Sequence, residues 1–156
     1  HIWTCGGGGW GYDKTGNFRP MSWFFDEYVA SRSLGGNFLP NASPDGNGEM
    51  HPNFYRQTDS LKAWMSHSAE SLNGGVDSRR APQQRSAHHK GEESLVAHLL
   101  PSFKGQVSVL TNKKPKSVTL LRTGEPILYE YACGAVIFNL SSADRTKTDD
   151  VVKIIF

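Results

Sequence analysis

Cysteine is scarce in this sequence: Cys5 and Cys133 are the only two thiols in 156 residues. They have no metal-ligand spacing and cannot build a disulfide framework, so both read as buried free thiols and neither reports a compartment. Charge of one sign is equally scarce. Lys and Arg number 17 against 15 Asp and Glu, a formal net charge of +2, which gives no reason to expect nucleic acid or an anionic membrane as a partner. No stretch approaches the roughly 18–20 apolar residues of a spanning helix, and the N-terminus has no signal-peptide pattern. The first residue is His1 rather than Met, which predicts a chain that is processed, trimmed or part of something longer. Hydrophobic residues at 37% and charged ones at 21% suffice for a core and exclude a disordered tail. The length allows one ordinary domain or two small units.

What the sequence does have is glycine in clusters and aromatics near the front. Gly6 to Gly9, Gly35-Gly36, Gly46 with Gly48, and Gly74-Gly75 mark loops and helix ends. His1 to Cys5 is β-branched and aromatic and stops at the first glycine run, which predicts a buried strand. A loop follows to Asn17, carrying Trp10 and Tyr12. Pro20 then opens a helix that Gly35-Gly36 closes, with Arg32 in its last turn and Trp23, Val29 or Ala30, and Leu34 on its apolar face. Asn37 to Asn41 reads as a second strand, although Pro40 removes a ladder donor there. A turn-rich loop covers Ala42 to His51. A second helix starts near Pro52, places Phe54, Leu61, Met65 and Leu72 on one stripe, and ends at Gly74-Gly75. Strand, helix, strand, helix implies parallel β/α units.

The hydrophobic period changes in the second half. Residues 76 to 93 are polar and unpatterned and read as a linker or exposed loop, so that Arg79, Arg80, Arg85, His88 and His89 read as solvated rather than as a metal tract. From Leu95 come short β runs: Leu95 to Leu100, Gln106 to Leu110, Val118 to Leu121, Ile127 to Tyr131, Ala135 to Leu140 and Val151 to Phe156. Strands this closely spaced predict an antiparallel sheet or small sandwich. The expected organisation is therefore α/β followed by all-β, with residues 1–75 as a partial β/α barrel segment, 76–94 as a linker and 95–156 as a β-sandwich-like domain.

Four stretches of the first half resemble glycoside hydrolase family 29, the α-L-fucosidases. Trp3-Thr4-Cys5, a glycine-rich gap and Trp10-Gly11-Tyr12 resemble the family's segment near the end of its barrel. Gly35 to Asn41 (Gly-Gly-Asn-Phe-Leu-Pro-Asn) and Ala42 to Glu49 (Ala-Ser-Pro-Asp-Gly-Asn-Gly-Glu) resemble two further motifs, and Ala63-Trp64-Met65 with Gly74 resembles the final barrel helix. Pro40 stands where the family usually has Leu, and Ala42-Ser43 where it has Val-Gly. The resemblance implies the last two β/α units of an eight-stranded barrel plus the β-sandwich that follows it.

It also implies a retaining glycosidase chemistry, which needs two carboxyl groups about 5–5.5 Å apart. The family's nucleophile lies on a mid-barrel strand that would precede His1, so no residue here takes that role. Trp3 stands where many members carry a Glu assigned as acid/base. The strand ends that would face a sugar correspond to Cys5–Tyr12 and Asn41–His51. Trp10 and Tyr12, with Trp3 behind them, are the candidate substrate-binding aromatics, since a ring stacks on the apolar face of a pyranose. Asp13 and Glu49 are the candidate catalytic carboxylates of these loops, and Asp45 a third, which also reads as a turn former. Asp45 to Glu49 lacks the twelve-residue spacing of a calcium loop, and no metal or other cofactor is expected. His51, His67 and His98 are isolated and read as structural. The enzyme reading is an α-L-fucosidase of reduced size acting on a fucoside or fucosylated glycan. The alternative is a non-catalytic carbohydrate-binding or remnant domain. Either would leave open strand edges and apolar helix faces, which predicts a homo-oligomer.

Overall fold

The computed structural model describes residue 3 and residues 10–72, 84–89 and 92–156, with 84–89 and 92 described by backbone alone. Helix α1 spans Met21–Ser33, behind Pro20 at its N-cap, and ends where Gly35 turns left-handed at φ 80°. Its buried side is Phe24, Phe25 and Val29, while Leu34 is 76% exposed. Of the expected face, Val29 is buried as predicted, but its partner one turn back is Phe25, and Leu34 is not part of it. Helix α2 spans Pro52–Ser68 and tightens into a 3₁₀ turn over Ala69–Leu72. His51 caps it: its Nδ1 accepts from the Asn53 N–H at 3.1 Å.

Seven strands follow: β1 (Gln84–His89), β2 (Glu92–Leu99), β3 (Val107–Leu110), β4 (Ser117–Leu120), β5 (Tyr129–Ala132), β6 (Ala135–Phe138) and β7 (Asp150–Ile155). They form a four-stranded sheet in the order β1-β2-β7-β4 and a three-stranded sheet in the order β3-β6-β5, and every strand pair is antiparallel. All six sequence-predicted β runs are present, and no described residue after 72 is helical. Where a linker is expected over 76–94, Gln84–His89 instead forms β1 and β2 already begins at Glu92. An edge strand needs backbone partners on one side only, so it carries little of the alternation that reveals strands in sequence. Arg79 and Arg80, and the side chains of Arg85, His88 and His89, lie outside the described residues.

The expected first strand also lies outside the described residues, except for Trp3. The Trp3 N–H donates to the Asn41 carbonyl at 2.9 Å and its carbonyl accepts from Arg19 N–H at 2.8 Å. Residues 37–41 do not form the expected strand: Asn41 makes a single bridge and 37–40 are irregular. Pro40 cannot donate to a ladder, which accounts for the interruption. Cys133 departs from expectation as well. It is exposed, at φ 51° beside Gly134 at φ 73°, in the two-residue turn that joins β5 to β6. Two left-handed residues in succession suit the twist of a tight hairpin.

The four-stranded sheet is covered on both faces. Leu95, Ala97 and Leu99 of β2 and Val152 and Ile154 of β7 point into the sandwich core, with Val109, Val136 and Phe138 from the other sheet. The alternate residues Val96 and Val151 point the other way, into a cluster with Phe25, Trp64 and Leu72. That second cover explains why β2 reads as a continuous apolar run, and it makes the helices and the sandwich share one strand pair rather than sit apart.

Polar groups at this junction are buried too. Trp64 Nε1 donates to the Asp149 carbonyl at 2.7 Å, and His98 Nδ1 lies 2.6 Å from Asp149 Oδ2, with both of those side chains fully buried. Asp150 accepts from Arg145 Nε at 3.0 Å and from Thr146 N–H at 2.8 Å, and Arg145 also donates to the carbonyls of Leu99, Leu100 and Phe103. Asp26 of α1 faces the same region. Burial raises its carboxyl above the ordinary 3.8; a bond from the Ser102 hydroxyl works against this, and the charges of Asp149 and Glu27 add to it. A raised folded-state value means the Asp26 contribution is present below the unfolded value and lost as pH rises through the folded one. Asp26→Asn cannot ionise. The variant is expected to melt at a higher temperature than the wild type at pH 7, with the difference closing once the pH falls below roughly 3.8. Melting curves followed by circular dichroism across that range check it, and a variant no more stable at neutral pH would refute the assignment.

Candidate functional site

Two loops reach the N-terminal ends of the helices, and each is shaped by an aspartate. Asp13 Oδ1 accepts from the Thr15 N–H at 2.9 Å and from the Thr15 hydroxyl at 2.6 Å, and Oδ2 accepts from the Asn17 N–H at 3.3 Å. These bonds, the Thr15 hydroxyl first, hold the Asp13 carboxyl below the ordinary 3.8. Asp45 does the same work in the second loop: its Oδ1 accepts from Asn47 N–H at 2.8 Å and Glu49 N–H at 3.0 Å. Both are carboxylates spent on turns, a use to which Asp is well suited by its short reach. The Asp45–Glu49 segment is therefore a turn. Among the described residues no group of three His, Cys, Asp or Glu could hold a metal ion.

The two loops are tied to each other and to α2. The Ser43 hydroxyl donates to the Trp10 carbonyl, joining the loop of Tyr12 and Asp13 to that of Asp45 and Glu49. Gly16 lies directly beneath the His51 ring at φ 62°, where a Cβ would stand 2.1 Å from His51 Cε1. Only glycine combines that backbone with that approach. Asn53 Nδ2 then donates to the Gly16 carbonyl at 2.7 Å, and Gln57 Nε2 donates to the Arg19 carbonyl at 3.1 Å. The first loop is thus sewn to the first two turns of α2.

The candidate residues fall into three groups. Trp10 is 71% exposed, its ring free to meet a ligand, and Tyr12 is half-buried beside it. Glu49 is exposed, and its carboxylate has no hydrogen-bond or ion-pair partner among the described residues. Trp3 is not on this surface. It is 3% exposed and sits among Phe18, Phe24 and Phe54, with ring centroids 5.9, 4.8 and 5.6 Å away, so it supports the loop from below and cannot stack on a sugar. The three isolated histidines all have structural partners: His51 caps α2, His67 Nδ1 meets the Ser68 hydroxyl at 2.6 Å, and His98 pairs with Asp149. Sequence reasoning missed Ser43, which links the loops, and Asn53 and Gln57, which anchor one of them. Their helical spacing of four was the available signal, since both fall on the face of α2 that meets Gly16 to Arg19.

No family profile and no curated protein matches the sequence. Solved structures do. An α-L-fucosidase, isoenzyme 1 from Paenibacillus thiaminolyticus, superposes with a TM-score of 0.76 at 19% identity, over 99% of this chain and 38% of that one. A Thermotoga maritima α-fucosidase in complex with a mechanism-based inhibitor gives 0.67 at 15% identity, over 94% and 37%. A family 29 α-L-fucosidase from Bacteroides thetaiotaomicron, trapped as a covalent intermediate with 2-fluoro-fucosyl fluoride, gives 0.68 at 20% identity, over 93% and 35%. The chain has the fold of a segment of these fucosidases and resembles their C-terminal part. It spans little more than a third of their length.

Proposed function

We propose that this chain forms the sugar-facing wall of an α-L-fucosidase-like glycoside hydrolase and meets a terminal α-L-fucosyl unit of a glycan through Trp10 and Tyr12. One observation carries the reading: the bond from Ser43 to the Trp10 carbonyl joins the two loops and leaves the Trp10 ring facing outward. An aromatic ring so placed covers the apolar face of a pyranose, and with it a fucose methyl group. The fold likeness supplies the substrate class, because the similar structures are fucosidases and one holds a fucosyl-type intermediate.

Hydrolysis at such a site, retaining in the family it resembles, requires a second kind of group, a pair of carboxyls across the scissile bond. Asp13 and Glu49 are the pair these loops offer, one on each of the two loops that the Ser43 bond joins. Asp13, held ionised by Thr15, suits a base or nucleophile and not an acid. Glu49 is left as the acid. The alternative, a wall that binds without turnover, is favoured by the three hydrogen bonds that commit the Asp13 carboxylate to its own turn.

The two are separated with an aryl α-L-fucoside and L-fucose. Binding is expected to quench the fluorescence of Trp10, and Trp10→Ala is expected to lose about 1–3 kcal/mol of binding, the scale of a buried stacking contact. Released phenol that falls at least a hundredfold in both Asp13→Asn and Glu49→Gln would assign the chemistry to this pair. Binding with no release of phenol by the wild type would leave the chain a binding wall. A chain that shows no binding and no turnover overturns the proposal.

Leu34, at 76% exposure just beyond α1, and Tyr55 and Met65 of α2 are exposed apolar side chains. We assign them to contacts between copies of the same chain, since apolar side chains left in water favour self-association. Light scattering at micromolar concentration is expected to give a multiple of 17.3 kDa, and a monodisperse monomer would refute it.

A further inference from the structure

The Trp10 and Tyr12 surface is not the only place where this chain offers sugar-reading chemistry. A groove of about 450 Å³ runs between the Gly16–Phe18 segment and the first turns of α2, within the range of small-molecule sites and open along one side. Its lining is polar: Asn17, Asn53, Arg56, Gln57 and Ser60 surround the ring of Phe18. We infer that this groove binds a neutral pyranose unit of a glycan.

Three features point to that ligand class. The first is the aromatic floor. Phe18 is half-buried and held by Trp3, Phe54 and His51, with ring centroids 5.9, 6.3 and 6.4 Å away, so its orientation is fixed before any ligand arrives. The second is unspent hydrogen-bonding capacity. The guanidinium of Arg56 and the carboxamide of Asn17 make no hydrogen bond or ion pair among the described residues. Gln57 is pinned by its Nε2 on the Arg19 carbonyl, which leaves Oε1 covered and without a donor. Such an acceptor is costly to leave unmade. The third is the kind of group. Donors from Arg56 and Asn17, an acceptor from Asn17, and the ring of Phe18 between them match hydroxyls around an apolar ring. The lining holds no carboxylate to take a cation. Its one charge, Arg56, is exposed and so gives little to an anion in water. An open side lets a sugar within a longer chain enter.

The groove takes in Gly16 and Asn17 at the end of the loop that carries Trp10 and Tyr12 but neither of those rings, so it is followed at resonances separate from the fucoside reading. Lactose is added at millimolar concentration to the full chain labelled with nitrogen-15. The expected result is shifts confined to the side-chain amides of Asn17, Asn53 and Gln57 and the backbone around residues 16–18 and 56–60, with the Trp10 indole resonance unmoved. Arg56→Ala, at an exposed position without partners among the described residues, is expected to keep the fold and weaken lactose binding about threefold, the scale of a solvent-exposed hydrogen bond. Unmoved groove resonances, undiminished binding by Arg56→Ala, or shifts with glucuronate but not with lactose would each overturn the inference. Fucoside binding read at Trp10 has no bearing on these outcomes.

Discussion

Trp64 is fully buried between α1 and the four-stranded sheet, and its indole N–H donates to the carbonyl of Asp149 at 2.7 Å. The two residues lie 85 positions apart, so this one bond joins the end of the helical segment to the start of the last strand. Much of the molecule is arranged around it. The ring packs against Phe25 at 5.1 Å and shares its cluster with Val96 and Val151, the outward residues of the two central strands. Asp149 itself is held by His98, and its neighbour Asp150 by Arg145, whose guanidinium also gathers the carbonyls at the end of β2. The Lys153–Glu70 pair, at 3.2 Å, fastens the 3₁₀ turn to the same strand. Breaking a buried, paired charge cluster of this type is expensive, about 3–5 kcal/mol when one partner is removed. The helices are thereby fixed relative to the sandwich.

The loops of the candidate site inherit their position from this junction. α1 and α2 are held against the sheet, their N-termini stand together, and the loops that enter them are closed by Asp13, Asp45 and the His51 cap. What faces outward is then a small set: Trp10, Tyr12, Glu49 and the groove beside Phe18. The carboxylates that shape the loops are the same ones that a glycosidase reading would employ. Asp13 cannot serve as a proton donor while Thr15 holds it ionised. This competition between a turn and a catalytic role is the main physical argument for binding over turnover within this chain.

Much of the architecture was legible in the residues. The six β runs from Leu95 on are short, rich in apolar and β-branched residues and bounded by turn residues, and they are strands because closely spaced runs of that kind suit an antiparallel sheet. The helix boundaries at Pro20, Gly35 and Pro52 follow from local backbone chemistry and needed no tertiary knowledge. The failures came where tertiary contacts decide. The side of α1 that is buried depends on Trp64 and the sheet, which lie far away in sequence. β1 is a polar edge strand without a pattern. Pro40 breaks a strand that motif likeness favours. In the site, Trp10 is exposed and Tyr12 half-buried on a loop that opens from a glycine run, and Trp3 is buried, as the expectation of a buried strand over His1 to Cys5 implies. Ser43, Asn53 and Gln57 act through contacts 33 to 38 residues distant, which no local pattern announces.

The central claim is that helices and sandwich form one cooperative unit through the Trp64–Asp149 junction. All four tryptophans, at positions 3, 10, 23 and 64, lie in the helical segment, so their fluorescence reports that segment while far-ultraviolet circular dichroism near the β minimum reports the strands. Urea unfolding followed by both probes, in the wild type and in Trp64→Phe, tests the claim. Coincident transitions that move together to lower urea in the variant, by about 1–3 kcal/mol for a buried carbonyl left without its donor, are the expected result. A fluorescence transition complete at lower urea while the β signal stays intact, or a Trp64→Phe shift in one probe alone, would contradict it.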